Sequence, residues 1–216
     1  MKSLLVLAAF PMVLMGWASC SHSGTGHAAL PDPRAVDKSV PEYKNPFHPS
    51  TYAHFVARKD YRKTYDVYKD DTLLNRQPKK SRKIFVCLDE QRGQYLVDGL
   101  VAMDFPLSSG VKAYPTKTGD YAVISKKEDH ASNLYGKMYD AEGKCINYNA
   151  ESTDPIPEGG RFDGSPMPYW QRLTNAGLGL HVGKVRRHPV SHGCVRLPRN
   201  VAAVSYTHLT LPTKLE

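Results

Sequence analysis

The stretch Leu180-His-Val-Gly-Lys-Val-Arg-Arg-His-Pro-Val-Ser-His-Gly-Cys-Val-Arg-Leu-Pro198 constrains this chain more than any other. Whatever fold surrounds it must let a histidine near its start serve a thiol near its end. A cysteine is a useful nucleophile only as a thiolate, which requires a nearby base or a positive field, and access for a substrate. His181, His188 and His192 are candidate bases, and Gly193 lets a backbone pass close to a substrate. No acidic residue lies between Asp163 and Glu216, whereas Arg172, Lys184, Arg186, Arg187, Arg196 and Arg199 do, so the field around Cys194 is positive.

With 216 residues, 41% of them hydrophobic, the chain has material for one core-bearing domain with extensions. A net charge of +8 favours an anionic partner: nucleic acid, acidic lipid or a carboxylate-rich polymer. Compartment chooses among these. In residues 1–20, Lys2 precedes an apolar run from Leu4 to Trp17, and Ala18-Ser19 precede Cys20, which reads as an export signal too short for a comfortable membrane span. Ala18-Ser19-Cys20 also resembles the end of a bacterial lipoprotein signal, which implies acylation of Cys20 and attachment to a membrane through that lipid. Ordinary cleavage nearby would leave Cys20 a bystander. An exported chain is not expected to meet nucleic acid. Export also raises the question of a disulfide, and Cys87 and Cys145 are the pair to consider, a buried thiol at Cys87 being the alternative.

Residues 21–49 carry Pro31, Pro33, Pro41, Pro46 and Pro49 among Ser, Gly and His, and are expected to be a disordered leader acting as a tether. Residues 50–81 form a helical pre-segment, since Phe55, Tyr61, Tyr65 and Tyr68 recur at helical spacing from 50 to 74 and Ser50 or Thr51 can cap the start. The tyrosine stripe is assigned to packing in preference to base stacking. Two strands about a polar turn are predicted over residues 83–98, a third over 101–107 and a fourth over 120–125. Residues 126–168, polar and broken by Gly and Pro, are expected to be a lid over a cleft. Residues 177–182 lead into the opening stretch as a further strand.

His181-Val-Gly followed by Ser191-His-Gly-Cys-Val-Arg-Leu-Pro198 resembles the signature of the bacterial L,D-transpeptidase catalytic domain. The resemblance extends upstream. Residues 84–98 are similar to the family's opening strands with their Gln-containing turn, and Tyr114-Pro-Thr-Lys-Thr-Gly119 to its Pro-Thr-x-Thr-Gly loop. Asn133-Leu-Tyr-Gly136 is similar to its Ser-x-Tyr-Gly segment, and Met167-Pro-Tyr-Trp170 to the aromatic stretch before the histidine strand. The likeness covers residues 82–204 and implies a mainly β fold, a β-sandwich of two mixed sheets with short helices, that works without a cofactor. It implies action on peptidoglycan stem peptides, with a thiolate attacking the bond between diaminopimelate and the terminal D-alanine. A second stem, a lysine of a wall-anchored lipoprotein, or water would then resolve the acyl-enzyme.

Residue roles follow from chemistry and motif together. Cys194 is the nucleophile. His181 matches the family base, its tautomer fixed by the carbonyl of Val182. His192, which shares a face with Cys194 in an extended segment, is the rival base. The N–H groups of Gly193 and Cys194 suit an oxyanion hole. Ser191 shapes the loop, and Arg196 either holds a substrate carboxylate or ties the loop to the domain. Tyr114, Tyr169 and Trp170 line the groove or belong to the core, and His188 is a surface residue. A zinc site of His181, His192 and Cys194 is the rival chemistry, with no fourth ligand at usual spacing; a non-catalytic wall-binding lipoprotein is the rival class.

One segment departs from the family pattern. After the helix that begins near Asn200, the family continues with a Gly-Thr-x-Val strand, whereas residues 205–216 resemble translated adapter sequence. They are expected to be a non-native, poorly packed tail in which Pro212 interrupts the one candidate strand, leaving the domain C-terminally truncated with an open sheet edge.

Overall fold

The computed structural model describes residues 32–39, 43–78 and 81–210, and the backbone of residues 3–7. Its elements in chain order are β1 (Ser3–Leu7), α1 (Tyr52–Ala57), β2 (Tyr68–Lys69), α2 (Asp71–Asn75), β3 (Arg82–Cys87), β4 (Arg92–Val97), β5 (Leu100–Pro106), β6 (Gly119–Ala122), β7 (Ser125–Lys127), β8 (Ala131–Tyr139), β9 (Cys145–Glu151), β10 (Arg161–Pro166), β11 (Trp170–Arg172), β12 (Gly179–Val182), β13 (Val195–Leu197) and α3 (Arg199–His208). The fold is mainly β.

Alternation builds the core. Along β3 and β4 the residues Ile84, Val86, Tyr95 and Val97 point inward and are at most 1% exposed, and on β5 Met103 and Phe105 join them. These strands belong to a six-stranded sheet of order β2-β5-β4-β3-β1-β6, in which β1 runs antiparallel to β3 and parallel to β6. A second mixed sheet, β13-β12-β11-β7, turns Leu180, Val195 and Leu197 into the same core, where Val201, Ala202 and Leu209 from the α3 end of the chain also pack. These two mixed sheets are the expected sandwich.

A third sheet was not expected. Residues 126–168 read as a polar, broken lid, yet β8, β9 and β10 form an antiparallel sheet of order β10-β8-β9. Its burial pattern shows why: β9 is exposed at four consecutive positions, so no buried face imprints an alternation on the sequence.

The helix read from 50 to 74 is also corrected. Thr51 does cap α1, its side chain accepting from the N–H of His54 at 3.2 Å, but the helix stops at Ala57. Arg58 takes an extended conformation and pairs with Asp60 and Asp66, and Asp70 caps the separate α2. Short side-chain hydrogen bonds at Asp60, Thr64 and Asp70 compete with the helix, so the tyrosine spacing serves packing instead. Phe55, Val56 and Tyr61 form a second small core, with Tyr52 and Tyr68 against it.

Part of the supposed tether packs as well. Lys38 Nζ donates to Val56 O at 2.6 Å, Tyr43 Oη to Ala57 O at 2.8 Å and Asn45 Nδ2 to His54 O at 2.9 Å. The last carbonyls of a helix lack internal partners, and here Lys38, Tyr43 and Asn45 supply them. Prolines prevent regular structure without preventing docking.

Beneath this wrap, Arg92 and Asp104 are 2% and 0% exposed and paired, with Arg92 Nε donating to Asp104 Oδ1 at 2.7 Å. Tyr52 and Tyr61 donate to Asp104 Oδ2 at 2.7 and 2.8 Å. A buried ion pair is tolerable only when its remaining lone pairs are met, and both hydroxyls come from the N-terminal segment.

The tail is packed through Leu209. Ser205 and Leu209 are 0% and 1% exposed, because positions 201, 205 and 209 share one helix face. Gln171 Nε2 donates to Ser205 Oγ at 2.8 Å, and Lys126 Nζ donates to the carbonyls of Tyr206 and Leu209 at the helix end. Cys87 and Cys145 sit in different sheets and no bond joins them. Of the segment read as an export signal, Ser3–Leu7 lies as a strand between β3 and β6; Cys20 lies outside the described residues.

Candidate active site

On β12 and β13 the alternation that buries Leu180, Val195 and Leu197 turns Gly179, His181 and Arg196 to the opposite face. The two strands run parallel, with His181 opposite Arg196. Parallel neighbours need a crossover, and residues 183–194 supply it as a loop.

That loop is held by the loop after β5. Val190 N and Ser191 N donate to Ser109 O at 2.8 and 3.0 Å, Val111 N donates to Ser191 O at 2.9 Å, and Arg196 N donates to Ser108 O at 2.8 Å. Gln91, buried in the β3–β4 turn, fixes Ser109 in turn: its Nε2 donates to Ser109 Oγ at 2.8 Å and its Oε1 accepts from Ser109 N at 2.9 Å. Thr116 Oγ1 accepts from Gly110 N at 2.8 Å and donates to Gly193 O at 2.6 Å. Gly193 has φ of 110°, a backbone state that side-chain-bearing residues rarely adopt.

Cys194 follows directly. Cys194 Sγ donates to Gly177 O at 3.3 Å. Burial pushes its thiol pKa up, against the Gly179 N–H and the Arg196 charge, which favour the thiolate. His181, 6% exposed, makes a 2.8 Å hydrogen bond from Nδ1 to Val182 O, the contact foreseen from the sequence. A carbonyl only accepts, so Nδ1 carries the proton and Nε2 is the basic nitrogen. Burial lowers the His181 pKa to about 4, although the Val182 bond opposes the shift. Both shifts favour the neutral form of the group concerned.

Both side chains line an open cavity of about 380 Å³, together with Trp170, Arg172, Tyr135 and Arg196. None of its lining residues is acidic. The third sheet forms one wall through Tyr135, whose ring stacks on His192 at 4.0 Å and 13°, with Tyr114 4.8 Å away on the same histidine. His192 thus joins the loop to that wall. The two candidate bases are separated by their surroundings: His181 has a fixed tautomer, His192 a stacked ring.

The remaining sequence candidates divide. Arg196 lines the cavity, its stem lies against Gly183 of the loop, and its guanidinium has no hydrogen-bond or ion-pair partner among the described residues. Trp170, 5% exposed, lines the cavity with its ring 6.0 Å from that of His181. Tyr169 does not. Its φ of 54° turns the ring onto α3, where it meets Tyr206 at 5.4 Å and Arg199 at 5.5 Å. Ser191 donates through Oγ to Cys194 O and accepts from Gly193 N at 3.2 Å. That bond engages one of the two N–H groups assigned to an oxyanion hole and leaves the N–H of Cys194. His188 is exposed. His181, His192 and Cys194 do not converge as metal ligands, and among the described residues no group of three His, Cys, Asp or Glu side chains does.

Tyr135, Thr116, Gln91 and Arg172 gained no role from sequence reasoning. The first three lay inside the segments that carried the resemblance, and Arg172 among the cations counted around the thiol; only the fold shows what each one touches.

No curated protein matches the chain. Among solved structures it is similar to an L,D-transpeptidase from Mycobacterium smegmatis, at 22% identity over 57% of this chain and 52% of that one, with a TM-score of 0.42. It is also similar to an L,D-transpeptidase from Stackebrandtia nassauensis, at 22% over 58% and 49% with a TM-score of 0.40. A third is L,D-transpeptidase 3 from Mycobacterium tuberculosis, at 22% over 58% and 56% with a TM-score of 0.42. The chain spans about half the length of these proteins. The family model of the L,D-transpeptidase catalytic domain, YkuD, matches residues 81–216, which include every residue of the thiol site and well over half of the sequence; the chain belongs to that family.

Proposed function

We propose that this protein is a peptidoglycan-remodelling cysteine acyltransferase of the bacterial envelope. The observation that carries this reading is the presence of Cys194 and His181 in the lining of one acid-free cavity, with His181 Nδ1 tied to Val182 O so that Nε2 is the basic nitrogen. In this reading His181 Nε2 takes the thiol proton as Sγ attacks the carbonyl joining diaminopimelate to terminal D-alanine. The C–N bond breaks, the proton passes from His181 to the leaving amine, and a thioester remains on Cys194. An amine of a second stem then attacks the thioester, the C–S bond breaks, and the amine's proton returns through His181 to the thiolate. The product is a 3→3 crosslink. In the same reading the N–H of Cys194, which Ser191 leaves unengaged, receives the developing oxyanion.

A lipoprotein lysine or water can take the place of the acceptor amine, the latter giving only trimming. Export and acylation of Cys20 would set the domain on a membrane facing its substrate, a reading supported by the apolar run that ends in Ala18-Ser19-Cys20; intact mass of the mature N-terminus tests it, and a soluble chain beginning elsewhere refutes it.

The catalytic reading is tested by incubating tetrapeptide muropeptides with the full chain and with Cys194→Ala, followed by mass analysis. Crosslinked dimers with wild type and none with the variant are expected. Shortened monomers alone would identify a carboxypeptidase, and turnover by Cys194→Ala would overturn the mechanism.

A further inference from the structure

We propose that Trp170 and Arg172 form the subsite for the residue that leaves, its small apolar side chain on the indole and its terminal carboxylate on the guanidinium. The inference rests on the acyl-transfer reading above. On β11, Gln171 turns into the core, so its neighbours Trp170 and Arg172 face the cavity, and both line it. Arg172 lies opposite Gly179, whose N–H favours the thiolate of Cys194. With strands about 4.8 Å apart, the guanidinium can reach a group bound next to the thiol.

Gly179 shapes the floor between them. A Cβ there would fall 2.5 Å from Trp170 Cη2, so the indole lies across the strand at this point. The ring is held between His130 at 5.1 Å and His181 at 6.0 Å. An amine that takes its proton from His181 therefore leaves beside the indole, and the α-substituents of that amine meet Trp170 and Arg172.

Arg172 is available for this contact. Its side chain has no hydrogen-bond, ion-pair or ring partner among the described residues, and no acidic residue lines the cavity. A guanidinium presents a planar fork that matches a carboxylate at two points. D-Alanine, with one methyl and a terminal carboxylate, has the chemistry of this subsite.

The test compares a tetrapeptide donor ending in free D-alanine with the same donor ending in D-alanine carboxamide, using wild type, Arg172→Gln and Arg172→Lys. Wild type is expected to favour the acid in kcat/KM by about 10- to 100-fold, the range for a charge-assisted hydrogen bond. Arg172→Gln should bring that ratio close to one through loss on the acid donor. Arg172→Lys should keep part of it, having the charge without the fork. A wild-type ratio near one, or an undiminished ratio in Arg172→Gln, overturns the subsite. Absence of any Cys194-linked product from both donors overturns the acyl-transfer reading, and the subsite with it.

Discussion

Burial sets the chemistry of the two central residues in opposite directions, raising the thiol of Cys194 and lowering the imidazole of His181 to about 4. Both shifts disfavour a thiolate–imidazolium pair in the resting site, so the thiol is expected to lose its proton as substrate arrives. Alkylation of Cys194 by iodoacetamide is expected to accelerate with pH well into the alkaline range; a plateau below about pH 7, as an ion-paired thiolate gives, would refute the neutral pair. The same shift affects stability. Unfolded His181 takes up a proton below about pH 6.5, whereas the folded residue resists until about 4. Its contribution is therefore present above the unfolded value and is lost as pH falls through that window. His181→Gln should flatten this part of the stability curve, and an unchanged acid limb would show that other groups govern it. Asp104 offers a simpler prediction. Removing it leaves Arg92 charged and buried, so Asp104→Ala should cost about 3–5 kcal/mol in denaturant unfolding, and a loss under about 1 kcal/mol would show that the site relaxes.

At the scale of elements, the loop between β12 and β13 has its shape imposed from outside, by Ser108, Ser109 and Thr116 on one side and by Tyr135 on the other. Thr116→Val would strand the buried N–H of Gly110 and the carbonyl of Gly193, a cost of about 1–3 kcal/mol. Thioester formation in this variant should slow by tenfold or more, with recovery in Thr116→Ser, which keeps the hydroxyl. An undiminished rate in Thr116→Val would mean that the backbone bonds to Ser109 suffice. The third sheet, which also lines the cavity, exposes Leu134 at 52%, Ile146 at 49% and Tyr148 at 69%. Its strands are held by their ladders more than by a core, which is why its sequence reads as a polar loop.

Across the whole molecule, β1 fills the space between β3 and β6 and is drawn from the run that reads as an export signal, so the cleavage proposed at Cys20 would take it out of the mature protein. Comparing the full chain with one lacking residues 1–20 tests its contribution. Hydrogen exchange at Lys83–Cys87 and Gly119–Ala122 should speed up and the melting temperature fall, because two ladders are removed at once. Identical exchange in both chains would show that residues 3–7 are not part of the sheet in solution. What the sequence by itself determined is what leaves a local imprint. Ile84, Val86 and Leu180 revealed strands because one buried face enforces a period of two, and His181 and Cys194 pointed to thiol chemistry because a nucleophile would need its base and its field nearby. Only the tertiary structure could decide the rest. Tyr169 faces α3 because of one backbone angle, and Gly193 N–H is engaged by Ser191 through the curl of a loop. Lys38, Tyr43 and Asn45 dock because orphan carbonyls lie at the end of α1, and Arg172 lines the cavity because β11 happens to lie beside β12. Each of these depends on a partner supplied by another segment, and such pairings leave no period in the chain that makes them.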